Sequence, residues 1–580
     1  MSKLNVDQKT IMLLFSDKKS DFLIPDYQRP YAWEEGQCQT LWDDIFSFAF
    51  PDNNYENFNK DEEYFLGSIV TFENENNKKE IIDGQQRLTT LMLLLRAFYS
   101  KFGNMQDNNS KNTRERIAQC LWKTNEFGEA DLNKLKIDSE VATDNDKDEF
   151  LEILRTGLVT KDQKSNYAKN YIFFQIKIDE FLNEFPSYFA YLPARILQNC
   201  ILLPIEAESQ DTALRIFSTL NDRGLPLSDA DIFKAQFYKH YGAKNQKDFF
   251  IEKWKELEEI SSRIFKPIFG TPMDELFTRY MYFVRAKQGI KSSTTEALRK
   301  FYERDKYAIL KQDETLPNLK ILVDYWNDVY TQNTERFSQK ILRKLFILNY
   351  APNGMWTYFL SVYFLHNKDE KELLEENKLE IFLNKIIAFV WGYAFTNPGV
   401  NALRTPVYAE MINIVTNKEI RFDEHKFEEN SLLTAINNFE FKNGRPITRS
   451  LLTWWAFNDS EQNLPSLNTN FDIEHIFARK RQENDKTLNN LKNLESLGNK
   501  ALLEDKINIR AADYRFSDKT KYYKGFTNDK GQHKAGTIIT ELIELSNEKT
   551  DFVENDIIKR TEEITTKFII YLKENKLIKQ

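Results

Sequence analysis

The residues best suited to chemistry stand at three places in the chain. One is Phe471-Asp-Ile-Glu-His-Ile-Phe477, followed by Leu497-Gly-Asn-Lys-Ala-Leu-Leu503 and then Asn508. A lone histidine in an apolar strand is most often a satisfied core residue. Here carboxylates flank His475, and amide side chains follow at Asn499 and Asn508. A one-metal nuclease needs these parts. A histidine takes a proton from water, and a hard divalent cation with oxygen ligands stabilises the developing phosphate charge. An asparagine holds the histidine or its loop in place. Phe422-Asp-Glu-His-Lys426 also sets a carboxylate beside a histidine, but no Leu-Gly-Asn follows it, and it reads as surface.

The second place is Ile81-Ile-Asp-Gly-Gln-Gln-Arg-Leu-Thr-Thr90. Gly84 permits a tight turn between a strand and a helix, and the free amides at a helix start favour an anion. Gln85, Gln86 and Arg87 are costly to bury without partners, yet they directly precede an apolar helix. A capped turn and a phosphate site both satisfy that pattern. The third is Ile24-Pro-Asp-Tyr-Gln-Arg-Pro-Tyr-Ala-Trp33. Tyr27, Tyr31 and Trp33 interleave with Gln28 and Arg29. This is either an extended segment with aromatic anchors or a clamp for a nucleobase and its phosphate. No GxxxxGK[ST], HExxH or GxSxG sequence occurs, and the five histidines (His240, His366, His425, His475 and His533) supply a multi-histidine metal site poorly.

The elements that must position these residues are legible in outline. The β-branched and aromatic run 64–72 predicts a strand, 73–79 a turn and 80–82 a return strand ending at Asp83-Gly84. A Leu- and Met-rich helix follows over 86–99. Residues 165–189 have helical spacing, 200–205 form a buried strand, and 211–220 and 227–241 are helices, the latter capped by Ser228. From about 246 to 440, apolar residues recur at helical spacing with few Gly or Pro, as in 250–257, 321–329 and 379–393. No fixed repeat is evident. The last part is mixed and ends in an amphipathic helix over 553–574. The expected organisation is 1–245, a helical connecting region 246–440, and 441–580.

Composition bounds the rest. The 580 residues are 41% hydrophobic and 29% charged, which excludes a mostly disordered chain. Cys38, Cys120 and Cys200 include no CxxC pair, which argues against a disulfide framework and a cysteine-rich zinc site, and a reducing cytoplasm fits. The N-terminal stretch has no signal-peptide pattern, and apolar runs such as 88–99 are too short to span a bilayer. No membrane partner is expected. The net charge of −8 argues against a histone-like coat. Residues 476–530 nonetheless carry 13 Lys/Arg against 8 Asp/Glu, a local basic balance that suits either a solvated face or a nucleic-acid backbone.

Taken together, these residues resemble a known family. Asp-Gly-Gln-Gln-Arg-Leu-Thr-Thr, with Tyr-Gln-Arg-Pro-Tyr-Ala-Trp upstream, is similar to the ParB-like N-terminal domain of GmrSD-type, modification-dependent (type IV) restriction proteins. Phe217-Ser-Thr-Leu-Asn-Asp-Arg-Gly-Leu-Pro-Leu227 and Asp231-Ile-Phe-Lys234 resemble that domain's closing motif. Asp-Ile-Glu-His-Ile and Leu-Gly-Asn resemble the HNH-type (His-Me finger) nuclease domain that ends the same proteins. Three motifs in the family's order make the resemblance specific, although Ala478 stands where the family pattern has Pro.

The resemblance implies an α+β multidomain chain, mostly helical, with a ParB-like α/β domain, a helical middle and a ββα-metal nuclease domain. It implies that the first domain binds and hydrolyses a nucleoside triphosphate through Gln28, Arg29, Asp83, Gln85, Gln86 and Arg87, completed by Asn221 and Arg223. Tyr31, Trp33 and Gly84 are the neighbouring candidates for that pocket. It implies His475 as general base, Asn499 as its support, and Glu474 and Asn508 as ligands of Mg2+ or Mn2+. Adjacent residues of a regular strand face opposite ways, so Asp472, on the face of Glu474, is the alternative ligand. The function implied is antiphage cleavage of DNA, modified phage DNA included, under nucleotide control, by a chain that acts alone, as a homo-oligomer or with a partner subunit. The alternatives are a nucleotide-dependent DNA- or partner-binding switch with a degenerate nuclease domain, and a nuclease acting on RNA.

Overall fold

In the computed structural model, residues 5–6, 8–160, 162–210, 212–214, 216, 228–399, 401–512 and 515–579 are described. Asn221, Arg223 and the rest of the 217–227 motif lie outside them. The chain divides into two compact units, Met1–Lys255 and Glu256–Gln580. The fold is mostly helical with a mixed sheet near the N-terminus.

The first unit is built on seven strands: β1 (Asn5–Val6), β2 (Lys9–Thr10), β3 (Phe22–Ile24), β4 (Tyr64–Glu73), β5 (Lys79–Asp83), β6 (Ile137–Ser139) and β7 (Cys200–Ala207). The sheet order is β1-β7-β4-β5-β3-β6, with β2 also on β7. The β4/β5 pair is the hairpin that the turn residues 74–78 predict, whereas β4 runs parallel to β7 and β3 parallel to β5 and β6. Helix α1 (Gln85–Lys101) leaves the end of β5. Its residues from Leu88 to Phe98 are buried almost all round, so it is the central core helix rather than a surface one. Helix α2 (Asn166–Glu184) packs on it and begins at Ser165, whose hydroxyl accepts from the Ala168 N–H. Helix α3 (Asp229–Ala243) starts with a reciprocal cap between Ser228 and Asp231.

The second unit contains the helices of the middle region and the C-terminal part. Glu376–Thr396, which contains the helical stretch 379–393 read from the sequence, is long and apolar enough by composition to cross a membrane. Phe382, Ile386, Phe389, Val390 and Trp391 are buried, and Phe389 stacks on Phe422 with ring centroids 3.7 Å apart. It is a core helix of this unit. The motif-bearing part follows: α4 (Pro446–Phe457), the antiparallel pair β8 (Phe471–His475) and β9 (Lys500–Glu504), α5 (Asp505–Ala511), α6 (Phe516–Lys524) and α7 (Glu554–Glu574). Helix α7 forms a wall behind the turn that leads into β9. Arg560 Nη1 donates to the carbonyls of Leu497, Gly498 and Lys500, at 3.2, 3.0 and 2.7 Å. The approach is so close that a Cβ on Gly498 would stand 2.1 Å from the Ile557 carbonyl oxygen.

Candidate nucleotide junction and candidate nuclease site

The first candidate site lies where β5 hands over to α1. Gly84 caps α1 at φ 92°, a left-handed conformation that suits glycine, and no side chain caps the helix start. The three glutamines do not reach outward. Gln28 Nε2 donates to the carbonyls of Ile81 and Ile82, both at 3.1 Å. Gln85 Nε2 donates to the Arg29 carbonyl at 2.8 Å and Gln86 Nε2 to the Pro30 carbonyl at 3.2 Å. Gln86 Oε1 accepts from the backbone of Ala32 at 2.7 Å and Trp33 at 3.3 Å. Three buried amides thus stitch the 25–33 segment to the strand–helix junction. The cost of burying them, noted from the sequence, is offset inside the protein.

The aromatics correct the expectation of a clamp. Tyr31 is buried, stacks on Tyr167 with centroids 4.8 Å apart, shares a 2.7 Å hydrogen bond with Thr90 and accepts from Asn170 Nδ2 at 2.9 Å. Tyr27 is buried too and donates to Glu80. Trp33 is half-buried against the core, and its carbonyl accepts from Asn170. No face of Tyr31 is left for a base.

What the stitching leaves at the junction is charge. Arg87 Nη1 donates to the Ser68 carbonyl at 2.8 Å, and its guanidinium fills the space beside Gly67, where a Cβ would meet Cζ at 2.8 Å. Burial raises the Asp83 carboxyl pKa against the opposing pull of Arg87, the Gly84 N–H and Arg29. Burial likewise lowers that of Arg87, with Asp83 opposing it. Arg29, Arg87 and the uncapped amides after Gly84 are therefore the groups that fit a phosphate-bearing ligand, with Asp83 as the counter-charge of Arg87.

The second candidate site is the end of the β8/β9 pair. His475 lies opposite Lys500 in register, and Glu474 opposite Ala501. Alternation sends the two neighbours to different surroundings. Glu474 is buried, and its Oε1 accepts from Lys519 Nζ at 2.7 Å and from the Tyr523 hydroxyl at 2.5 Å, both on α6. Lys519 also donates to the His475 carbonyl at 2.6 Å. His475 instead meets a cluster the sequence reading missed. Its Nε2 is 3.1 Å from Lys500 Nζ and 3.4 Å from Glu495 Oε1. Lys500 Nζ also donates to Glu495 Oε2 at 2.8 Å and to Asn443 Oδ1 at 2.6 Å. Arg479 Nη2 donates to Glu495 Oε1 at 2.6 Å. Asn443, from the loop before α4, donates in turn to the Ile473 carbonyl at 3.1 Å.

Burial pushes the His475 imidazole down to about 4, with Lys500 and Arg479 pushing the same way and Glu495 opposing them. The ring is neutral at pH 7. Burial works against the Glu495 carboxylate, but Lys500, His475 and Arg479 outweigh it and hold its pKa below the usual value. Asn499 is fully buried and clamps the loop after the histidine. Its Oδ1 accepts from the Phe477 N–H at 2.7 Å, and its Nδ2 donates to the carbonyls of Phe477 at 3.1 Å and Leu494 at 3.0 Å.

The expected metal ligands do not come together around His475. Glu474 has its Oε1 engaged by Lys519 and Tyr523, which sets an ammonium against the carboxylate. Asp472 is part-exposed, its nearest cation Arg449 at 3.8 Å. Asn508 is half-buried on α5, and no described side chain bonds its amide. Among the described residues no group of three or more His, Cys, Asp or Glu could hold a metal ion. A divalent cation wants several oxygen ligands. The Lys500 ammonium stands against His475 and Glu495 and would repel a second cation there. The residues as arranged do not fit a metal.

Family comparison covers both candidate sites. Residues 11–238 match the model described as "GmrSD restriction endonuclease, N-terminal domain", and residues 426–567 match "GmrSD restriction endonucleases, C-terminal domain". The chain belongs to the GmrSD restriction endonuclease family. No curated protein matches it. Membership makes DNA the substrate class and restriction the setting, and it puts both the strand–helix junction and the His475 hairpin inside GmrSD domains. Glu495, Arg479 and Asn443 carried no motif that would flag them, and Lys500, though inside the 497–503 segment, was given no role there. The one sequence signal was a lysine opening the apolar strand Ala501-Leu-Leu503, where a buried ammonium demands partners.

Proposed function

We propose that this GmrSD-family chain is a nucleotide-regulated antiphage endonuclease that hydrolyses phosphodiester bonds in modified DNA. The observation that supports the nuclease half is His475, neutral and braced at a strand end, beside the half-exposed Arg479. His475 takes a proton from water, and the water oxygen forms its bond to phosphorus as the bond to the leaving sugar oxygen breaks. That oxygen takes up a proton, so the balance closes with water added across the ester. Arg479 and the basic stretch after His475 hold the phosphate backbone, and affinity falls as salt rises. A nucleoside triphosphate fits the junction by its phosphates, held by Arg29, Arg87 and the amides after Gly84. Its binding and turnover there supply the signal that licenses cutting.

A non-nuclease switch is the second reading. The pairing of Glu474 with Lys519 favours it, because it sets an ammonium against the expected ligand. One assay separates the readings. The full chain and His475→Ala are incubated with plain plasmid, glucosylated hydroxymethylcytosine phage DNA and RNA, with and without the four NTPs, in Mg2+ or EDTA. The nuclease reading requires cutting that His475→Ala lowers at least a hundredfold. Preference for the phage DNA and dependence on NTP test the two regulatory claims. Nucleotide binding with no cutting under any condition establishes the switch.

A further inference from the structure

The Lys500 ammonium stands beside His475 and has no part in the nuclease step described above. Its side chain has no solvent exposure, so it cannot itself touch a DNA phosphate. An ammonium has three N–H donors and no acceptor. All three have partners here: Asn443 Oδ1, Glu495 Oε2 and His475 Nε2. The last contact is possible only if Nε2 presents its lone pair, because an N–H there would point at another N–H. The ring proton must then sit on Nδ1. Glu495 sets the opposite demand. Its Oε1 is 3.4 Å from the same Nε2, and a carboxylate alone beside an imidazole draws a proton onto the facing nitrogen.

We propose that Lys500 is a positioning residue for the nuclease: by standing between His475 and Glu495 it keeps the proton off Nε2 and presets the neutral Nδ1–H ring that a base requires. Glu495 needs a cation, and Lys500 with Arg479 supplies it, so the carboxylate does not recruit the imidazole. The reaction then asks for a single exchange. The Lys500 N–H on Nε2 gives way to a water O–H at the same lone pair, while Lys500 keeps Asn443 and Glu495. Nε2 takes the proton of that water as its oxygen bonds to phosphorus. This rests on the nuclease reading for its consequence but not for its first observable.

The test combines 15N spectra of histidine-labelled full chain, with His475 assigned by loss of its signal in His475→Gln, and cleavage kinetics on plasmid. Wild type is expected to show a protonated Nδ1 and an unprotonated Nε2 at pH 7. Lys500→Met is expected to move the proton to Nε2 or to both nitrogens. It should lower kcat more than tenfold while KM stays within threefold, since Lys500 does not reach the substrate. Adding Glu495→Gln to Lys500→Met removes the carboxylate that captures the ring and is expected to restore kcat at least threefold. A lysine that merely fills space would show no such rescue. A wild-type spectrum with Nε2 protonated, or Lys500→Met cutting at the wild-type kcat, overturns the proposal. If Lys500→Met does not fold, the wild-type spectrum alone still decides, and it does so even if the chain cuts no substrate.

Discussion

The two motif regions hold their polar residues in opposite ways. At the β5–α1 junction neutral amides carry the load: Gln28, Gln85 and Gln86 bind backbone groups of the 25–33 segment and of β5, and charge is left at the rim. At the β8/β9 end charges carry it, with Lys519 on Glu474 and Lys500 on Glu495, each lysine buried. An amide stitch costs little to lose one bond at a time and does not respond to pH. A buried ion pair is expensive to half-remove and responds to protons. A motif rich in polar residues can therefore be scaffold at one end of a chain and a charge network at the other.

The largest effect should come from splitting the better-buried pair. Glu474→Ala leaves the Lys519 ammonium without its carboxylate and is expected to destabilise the chain by about 4 kcal/mol in urea denaturation. The double change Glu474→Gln with Lys519→Met should cost clearly less, and an equal cost would break the contrast. Acid comes next. His475 is held at about 4 in the folded chain against 6.5 unfolded, so between those values the unfolded chain binds more protons. Stability is therefore full above pH 6.5 and falls as pH drops toward 4, by about 3 kcal/mol. His475→Gln should flatten that slope in denaturation curves taken across the window. Gln86→Ala, which strips the acceptor from two backbone N–H groups and frees the Pro30 carbonyl, should cost about 1–2 kcal/mol at any pH from 5 to 8. Asp472→Ala should change stability by less than about 0.5 kcal/mol, because its cation among the described residues, Arg449, is distant and both are part-exposed. If cleavage also persists in that variant, the alternative metal ligand is eliminated.

Much of the fold was legible because local signals agreed. The strand 64–72, the polar turn and the return strand appear as β4 and β5, and the cap at Ser228 stands where the residue types demand. The Leu-rich helix was legible, but its central burial was not, since periodicity cannot tell a helix buried on one face from one buried on all. The parallel pairings of β3, with partners at 79–80 and 137–139, join residues too far apart for any local pattern to announce. At the sites, His475 and Asn499 were marked by spacing. Lys500, Glu495 and Asn443 were not, because their meeting depends on β-register and on a loop more than fifty residues upstream of Lys500. The aromatic segment misled for a related reason. Tyr31 looks like a base stacker in sequence, and only the position of Tyr167, far along the chain, makes it core.

The clasp of α7 on the Leu-Gly-Asn turn also sets an order of events during synthesis. Lys500 leaves the ribosome sixty residues ahead of Arg560, the side chain that gathers its carbonyl with those of Leu497 and Gly498. Until α7 follows, the turn that carries Asn499 has no back wall, and the loop after His475 is unbraced. A nascent or prematurely released chain thus has every motif residue before the helix that backs the hairpin end.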